Sequence, residues 1–430
     1  MMRILKYGEI PLEQILEREI PQNTVADAVA EILARVRREG DRALLDYCRR
    51  FDGAELSSLR VTEDELYSAL SLVEPDFLRV LERAAENIRA FHQQQKRSSY
   101  VINDTPGVVL GQKILPIEKV GLTVPGGKAP LSSTVLMDAI PAKIAGCSRL
   151  VMVTPAGPDG QISPAILAAA KVAGVDEIYK LGGAQAIAAL AYGTETVPRV
   201  DKIVGPGGAY VSEAKKQVYG LVSIDMIAGP SEILVVADGG SDPRHVAADL
   251  LSQAEHDVMA SAVLVTDSPD LAARVDAEVE AQLAVLPRRD IAGQSLARNG
   301  KIIVTPDLAA AIDIANALAP EHLELCVDAP FDWLDRVRNA GSVFLGRHSP
   351  EALGDYLAGA NHTLPTSGTA RFSSPLSVDD FVKKTQFIYY TAGALADVSA
   401  DIARFAREER LEAHARSALI RTEAEGFEGR

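Results

Sequence analysis

Gln253 and His256 stand three residues apart near the end of a run with helical spacing, so both side chains reach one helical face and can grip a single ion. An imidazole nitrogen suits zinc, whereas a neutral amide oxygen is a weak ligand that needs stronger company, namely a carboxylate and a second histidine. Asp355 and His414 are downstream candidates of those two types, and five of the seven histidines lie after residue 250. A Gln-x-x-His pair is far less specific than paired cysteines, and a histidine at a helix end equally fits a plain polar surface position.

A second constellation is Pro320-Glu321-His322, set between a helical stretch and the apolar run Leu323-Glu-Leu-Cys-Val327. Histidine accepts and returns protons near neutrality, and an adjacent carboxylate can orient it or activate water. The ordinary alternative is an exposed dipeptide at the mouth of a strand. Asp355 falls in Ser349-Pro350-Glu351-Ala-Leu-Gly-Asp355, whose pattern predicts a short helix capped by Ser349 with Pro350 in its first position. Its carboxylate is a candidate ligand or an exposed helix-end acid. His362 follows in the loop Ala360-Asn-His-Thr-Leu-Pro365, which can aim it into a pocket or leave it at the surface. Glu409 and His414, five positions apart, would stand about 140° apart on an ideal helix and so flank a site. His92, His245 and His348 lack comparable neighbours and are assigned structural or solvent roles.

Three glycine-rich turns precede helices: Pro125-Gly126-Gly127, Gly182-Gly183-Ala184-Gln185 and Gly205-Pro206-Gly207-Gly208. Glycine lets the backbone approach a ligand, and the helix N-termini that follow can hold phosphate through free N–H groups; tight strand-to-helix packing accounts for such turns as well. Gly-x-Gly-x-x-Gly is absent, so a dinucleotide would have to bind in another way.

These residues need a frame. A chain of 430 residues exceeds one ordinary core and implies two or three domains. The first hundred residues read as helix. Val25, Val29, Ile32, Leu33 and Val36 form a stripe broken at Gly40, Thr62–Glu65 is a capping-box start, and Leu78, Leu81, Ile88 and Phe91 continue an apolar stripe after Pro75. From about residue 108, short β-rich runs alternate with alanine-rich helices at 150–154, 177–181 and 202–204. A second set follows at 232–237, 262–266, 301–304 and 342–345, implying parallel sheets flanked by helices. The tail after about 378 reads as helix. With 47% hydrophobic residues and a net charge of −15, the chain is a globular acidic protein unsuited to a broad nucleic-acid or anionic-membrane surface. Three scattered cysteines argue against a disulfide framework or a cysteine zinc site. With neither a signal-type start nor a run of about 20 apolar residues, the expectation is a cytoplasmic protein.

The wording of several segments together is more specific than any one of them: Val124-Pro-Gly-Gly127, Val135-Leu-Met-Asp-Ala-Ile-Pro-Ala-Lys143, Gly182-Gly-Ala-Gln-Ala-Ile-Ala-Ala-Leu190, Gly229-Pro-Ser-Glu232, Gln253-Ala-Glu-His256 and Pro320-Glu-His-Leu323. With Gly354-Asp355, Asn361-His362, Leu364-Pro-Thr366, Ser373-Ser-Pro-Leu376 and Arg410-Leu411, the chain resembles the histidinol dehydrogenase family almost end to end. The resemblance implies a zinc- and NAD-dependent enzyme that oxidises L-histidinol through an aldehyde to L-histidine, reducing two NAD in histidine biosynthesis. It implies Gln253, His256, Asp355 and His414 as zinc and substrate contacts, with His414 given by the partner of a homodimer. Glu321 and His322 correspond to the acid/base pair, and Ser231, His322, His362 and Glu409 to substrate contacts. It further implies an α/β fold of two incomplete Rossmann-like domains with helical terminal arms in an intertwined homodimer. The corresponding division is an arm at 1–22, a larger domain at 23–122 plus 231–377, an inserted domain at 123–230 with the cofactor loops, and an arm at 378–430.

Thr123, Gln185 and Gly208 fall at the family's NAD-contacting positions. The family usually has tyrosine in place of Thr123 and asparagine in place of Gly208, and losing these groups weakens cofactor binding by on the order of 1 kcal/mol each. The competing readings are a related zinc dehydrogenase for another small alcohol, a zinc hydrolase built on Glu321 and His322, and a non-catalytic metal-stabilised binding protein. Glu409, His362 and His414 suit an imidazole-bearing substrate, and three glycine loops favour a nucleotide over hydrolysis.

Overall fold

The computed structural model describes residues 2–17, 25–126 and 130–423. Gly127 of the first glycine turn lies outside them. In chain order the elements are β1 (Arg3–Lys6), α1 (Leu12–Leu16), α2 (Ala26–Glu39), α3 (Asp41–Tyr47), α4 (Glu63–Ser71), α5 (Pro75–Gln93), β2 (Tyr100–Ile102) and β3 (Val108–Pro116). Alternation then sets in: β4 (Lys119–Thr123), α6 (Ser132–Ala145), β5 (Arg149–Thr154), α7 (Pro164–Ala173), β6 (Glu177–Lys180), α8 (Gly183–Tyr192), β7 (Lys202–Val204), α9 (Ala209–Val218) and β8 (Ser223–Ile224). The second set comprises β9 (Glu232–Ala237), α10 (Pro243–Ala254), β10 (Ser261–Thr266), α11 (Pro269–Leu283), α12 (Arg289–Asn299), β11 (Lys301–Val304), α13 (Leu308–Leu318), β12 (His322–Cys326), α14 (Phe331–Leu334), β13 (Ser342–Leu345) and α15 (Glu351–Tyr356). The chain closes with β14 (Val382–Tyr390), α16 (Ala392–Glu408) and α17 (Glu412–Leu419).

Two compact units emerge, one of residues 1–96 and 117–381, the other of 97–116 and 382–430. The first holds two all-parallel sheets. The five-stranded sheet has the order β6-β5-β4-β7-β8, so its strand order reverses between β4 and β7, where open parallel sheets bind ligands beyond their carboxyl ends. Thr123 ends β4, and Gly205 follows β7. Helices α2–α5 share their buried cores with this sheet: Val29, Leu33 and Leu44 meet Val151 and Ile187, while Leu81 and Ile88 meet Leu122 and Met137. Residues 26–93 thus share buried cores with the 119–224 sheet.

The six-stranded sheet, β1-β11-β10-β9-β12-β13, reverses between β9 and β12. Its inner strands β11, β10, β9 and β12 are buried on both faces, as parallel strands under helices must be. On β12, Leu323 and Leu325 enter the core built with α13, whereas Cys326 enters the core on the α10 face. By two-residue alternation, His322 and Glu324 share that α10 face. At the carboxyl ends of β9 and β12, Arg347 bridges Asp238 and Asp328 at 2.5 Å each.

In the second unit, β14 runs antiparallel along the whole of β3, β2 flanks β3 on the other side, and α16 packs on α17. The terminal arms are therefore not purely helical. Residues 3–6 add a parallel edge strand beside β11, and Val382-Lys-Lys-Thr-Gln-Phe-Ile-Tyr-Tyr390 pairs as a strand because its β-branched and aromatic side chains suit a pleated surface better than a helix. Pro350 also takes the N-cap of α15, one residue later than the expected Ser349. No helix among the described residues is long and apolar enough to cross a membrane.

Candidate active site

Glu321 and His322 occupy the amino end of β12 and are 7% and 4% exposed, which removes the exposed-dipeptide reading. Both are held by one residue of the neighbouring strand. The backbone N–H of Glu232 donates to Glu321 Oε2 at 2.8 Å, and the Glu232 carbonyl lies 2.9 Å from His322 Nδ1. A carbonyl only accepts, so Nδ1 carries the ring proton and Nε2 presents its lone pair. That Nε2 has no hydrogen-bond partner and sits 3.7 Å from Glu351 Oε1, which has none either. Ser231 immediately precedes this strand and accepts the Ser261 N–H through its carbonyl.

From α10, Gln253 enters the same region 1% exposed, with its Oε1 unpartnered. From α15, Glu351 and Asp355 enter one helical turn apart. Ligand atoms of His322, Glu351 and Asp355 all lie within 4.8 Å of one another. His362 Nδ1 lies 3.4 Å from Asp355 Oδ1, and its Nε2 is 3.4 Å from Thr134 Oγ1. Gln253, Glu321, His322, Asp355 and His362 are thereby brought together. His256, just past the end of α10, is exposed, yet close enough for its charge to oppose protonation of His322.

The electrostatics follow from burial. Burial pushes the His322 imidazole down to about 4, with neighbouring His362 and His256 adding to the effect and Asp355 opposing it. Burial drives Glu321 the other way, well above the usual carboxylate range, helped by the charges of Glu232, Asp355 and Glu351 and resisted by the Glu232 N–H. Burial and then Asp355 push Glu351 up to about 8. Asp355 is the ionised member of the cluster: burial acts to raise it, but the hydrogen bond and charge of His362 outweigh that and hold it at about 2. His362 is correspondingly raised, Asp355 overcoming its burial.

The nucleotide-type positions lie on the five-stranded sheet. Thr123 is buried at the end of β4, and Gln185 is the buried third residue of α8, just after Gly183 at φ +66°. Gly208 caps α9, and a Cβ built on it would meet nothing within 4 Å. Glu409 and His414 belong to the second unit, both exposed. They do not share one helix: Arg410 between them has φ +61°, which ends α16 and turns the chain into α17, so the 140° separation does not apply.

Sequence reasoning overlooked Glu351 and Glu324. Glu351 precedes Asp355 by four residues, which places both on one helical face. Glu324 is a charge inside a buried parallel strand, where only a paired one survives.

A histidinol dehydrogenase family profile matches residues 16–422. A curated histidinol dehydrogenase of Syntrophotalea carbinolica is 54% identical over 428 residues, 98% of this chain and 99% of the relative. Its counterpart from Bacillus cereus is 55% identical over 406 residues, 94% of each. The crystal structure of histidinol dehydrogenase from Elizabethkingia anophelis superimposes with a TM-score of 0.93 at 40% identity, covering 98% of both chains. The chain is thus one of the NAD-dependent oxidoreductases that act on a CH–OH group. It belongs to the histidinol dehydrogenase family.

Proposed function

We propose that this chain is a zinc-dependent histidinol dehydrogenase that oxidises L-histidinol via L-histidinaldehyde to L-histidine, reducing two NAD in succession, in the histidine biosynthesis of the cytoplasm. Family membership supports the substrate. The observation that carries the chemistry is the unpartnered Nε2 of buried His322 beside Glu321, whose carboxyl burial pushes well above its ordinary range.

The donor set suits zinc: Gln253 Oε1 is buried without a partner, and Asp355 is held ionised. Gln253, His256 and Asp355, with His414 of the partner subunit, would hold the metal. When bound, zinc supplies a redox-silent Lewis acid that fixes the substrate's amine and imidazole nitrogens. NAD, held by Thr123, Gln185, Gly208 and the open N-termini of α8 and α9, supplies the hydride acceptor.

In the first oxidation His322 Nε2 takes the hydroxyl proton as hydride leaves the carbon, giving the aldehyde. Glu321, whose burial favours the protonated form, can donate to the carbonyl oxygen and, once relieved of its proton, accept one from the water that adds to the aldehyde. Once His322 has passed the first proton to solvent, its Nε2 takes a hydroxyl proton of the resulting gem-diol as the second hydride leaves, giving the carboxylic acid, which loses its remaining proton to solvent as the carboxylate. Opposite shifts of two neighbouring groups divide base from acid. His362 and Ser231 border the substrate, and Glu409 would balance its imidazole charge. A homodimer supplies Glu409 and His414 in this reading; Val101, Ile388, Tyr389 and Phe405 are exposed apolar side chains of the second unit that a partner could cover.

Zinc-loaded protein given L-histidinol and NAD should form two NADH per histidine. Absence of both products, with NADP also tried, would overturn the proposal.

A further inference from the structure

The α10 face of β12 carries a second buried acid that the reaction above does not use. Glu324 is 1% exposed and lies two residues beyond His322. Its Oε1 accepts the backbone N–H of Glu351 at 2.7 Å, the first residue of α15. Its other oxygen receives a weak contact from the Cys326 thiol at 3.7 Å, and ligand atoms of Asp249 of α10, Glu324 and Cys326 all lie within 4.8 Å of one another. A carboxyl oxygen of Asp249 thus lies within 4.8 Å of one of Glu324. Two carboxyl groups brought this close under burial are best accommodated with a proton between them.

We infer that Asp249 and Glu324 are positioning residues: a carboxyl–carboxylate pair holding one proton, which ties α10, β12 and α15 together and so fixes Gln253, His322 and Asp355 relative to one another. Asp249 stands one helical turn before Gln253 on α10, and Glu351 one turn before Asp355 on α15. The pair therefore joins the roots of the two helices whose next turns carry the converging side chains. A parallel tie runs beside it, since Ser252 Oγ donates to the Asp249 carbonyl at 2.8 Å and contacts Glu351 Oε2 at 3.3 Å. Burial raises both acids, which favours retention of the shared proton. Residues behind metal ligands set ligand orientation, and their loss lowers metal affinity. The inference deepens the proposed function and, for its zinc readout, rests on it.

The test uses the full-length protein with three variants. Glu324→Gln keeps both contacts, its amide donating to Asp249 and its carbonyl accepting from Glu351; Asp249→Asn likewise supplies the missing hydrogen. Glu324→Leu supplies neither. Infrared difference spectra of wild type minus Glu324→Gln, and of wild type minus Asp249→Asn, should each show a protonated-carboxyl carbonyl band. Hydrogen exchange at the Glu351 amide should stay slow in both amide variants and accelerate in Glu324→Leu. Zinc affinity, read by chelator competition, should stay within about threefold in the amide variants and fall about tenfold or more in Glu324→Leu. A missing band, or Glu324→Leu with wild-type exchange and zinc affinity, overturns the inference. If Glu324→Leu does not fold, the band and the two amide variants still decide it. Wild-type protein without zinc affinity would instead sink the proposed function, leaving exchange and the infrared band to judge the pair.

Discussion

His322 keeps its Nδ1 on the carbonyl of Glu232 at 2.9 Å and leaves its Nε2 without a partner. The tautomer is thus chosen by a neighbouring strand, and the free nitrogen is the basic one. Replacing His322 by asparagine should lower kcat by about 10²–10⁴-fold while leaving zinc content unchanged by metal analysis. Metal loss in that variant would reassign His322 as a ligand.

Gln253→Ala removes an unpartnered buried amide oxygen and leaves no new donor stranded. Zinc affinity should fall by about tenfold or more, with the thermal midpoint of the metal-free protein nearly unchanged. Equal zinc affinity in the two proteins would count against Gln253 as a ligand.

Two glycines of one loop should respond in opposite ways. A Cβ at Gly205, where φ is +115°, would lie 2.2 Å from the Thr123 carbonyl oxygen, so Gly205→Ala should destabilise by about 1–3 kcal/mol in denaturant titration. Gly208 has open space and a helix N-cap position, which asparagine favours. Gly208→Asn should preserve the thermal midpoint and tighten NAD binding by about 1 kcal/mol, measured calorimetrically. Unchanged NAD affinity would mean that this residue does not face the nucleotide.

Asp52 gives a pH signature away from the site. Burial raises its carboxyl from the ordinary 3.8 to about 6, and its Oδ2 is unpartnered. Between those values the folded chain holds a proton that the unfolded chain has released, so stability falls as pH rises through that window. Asp52→Asn cannot ionise. Its thermal midpoint should exceed that of wild type at pH 7 and converge with it near pH 4; a gap of equal size at both would refute the assignment.

The alternation of short strands and alanine-rich helices made both parallel sheets legible in the sequence, because buried parallel strands are continuous apolar runs bounded by glycine and proline. Thr62 and Glu65 form the expected capping box. The apolar stripe of α5 is narrower than it reads: Leu81 and Ile88 are buried, but Phe91 is 46% exposed. Strand β14 escaped notice because Lys383, Lys384 and Gln386 interrupt its alternation, and the pairing that makes it a strand comes from β3, more than 260 residues away. Glu321-His322 and Gln253 stood out as candidates by type and spacing. What spacing could not supply was the convergence of β12, α10 and α15, so Glu351 and Glu324 emerged only when the three elements met.

Strand β12 carries His322 and Glu324 on one face and Leu323 and Leu325 on the other, with His322 paired opposite Ile233 and Ser342. Adding or deleting one residue between α13 and this strand would exchange the two faces, sending carboxylates into the α13 core and leucines toward Gln253. The link Ala319-Pro320-Glu321 is therefore a counted spacer whose length is under chemical constraint. In a library of single-codon insertions across the gene, this short stretch should stand out as one that returns no active clones.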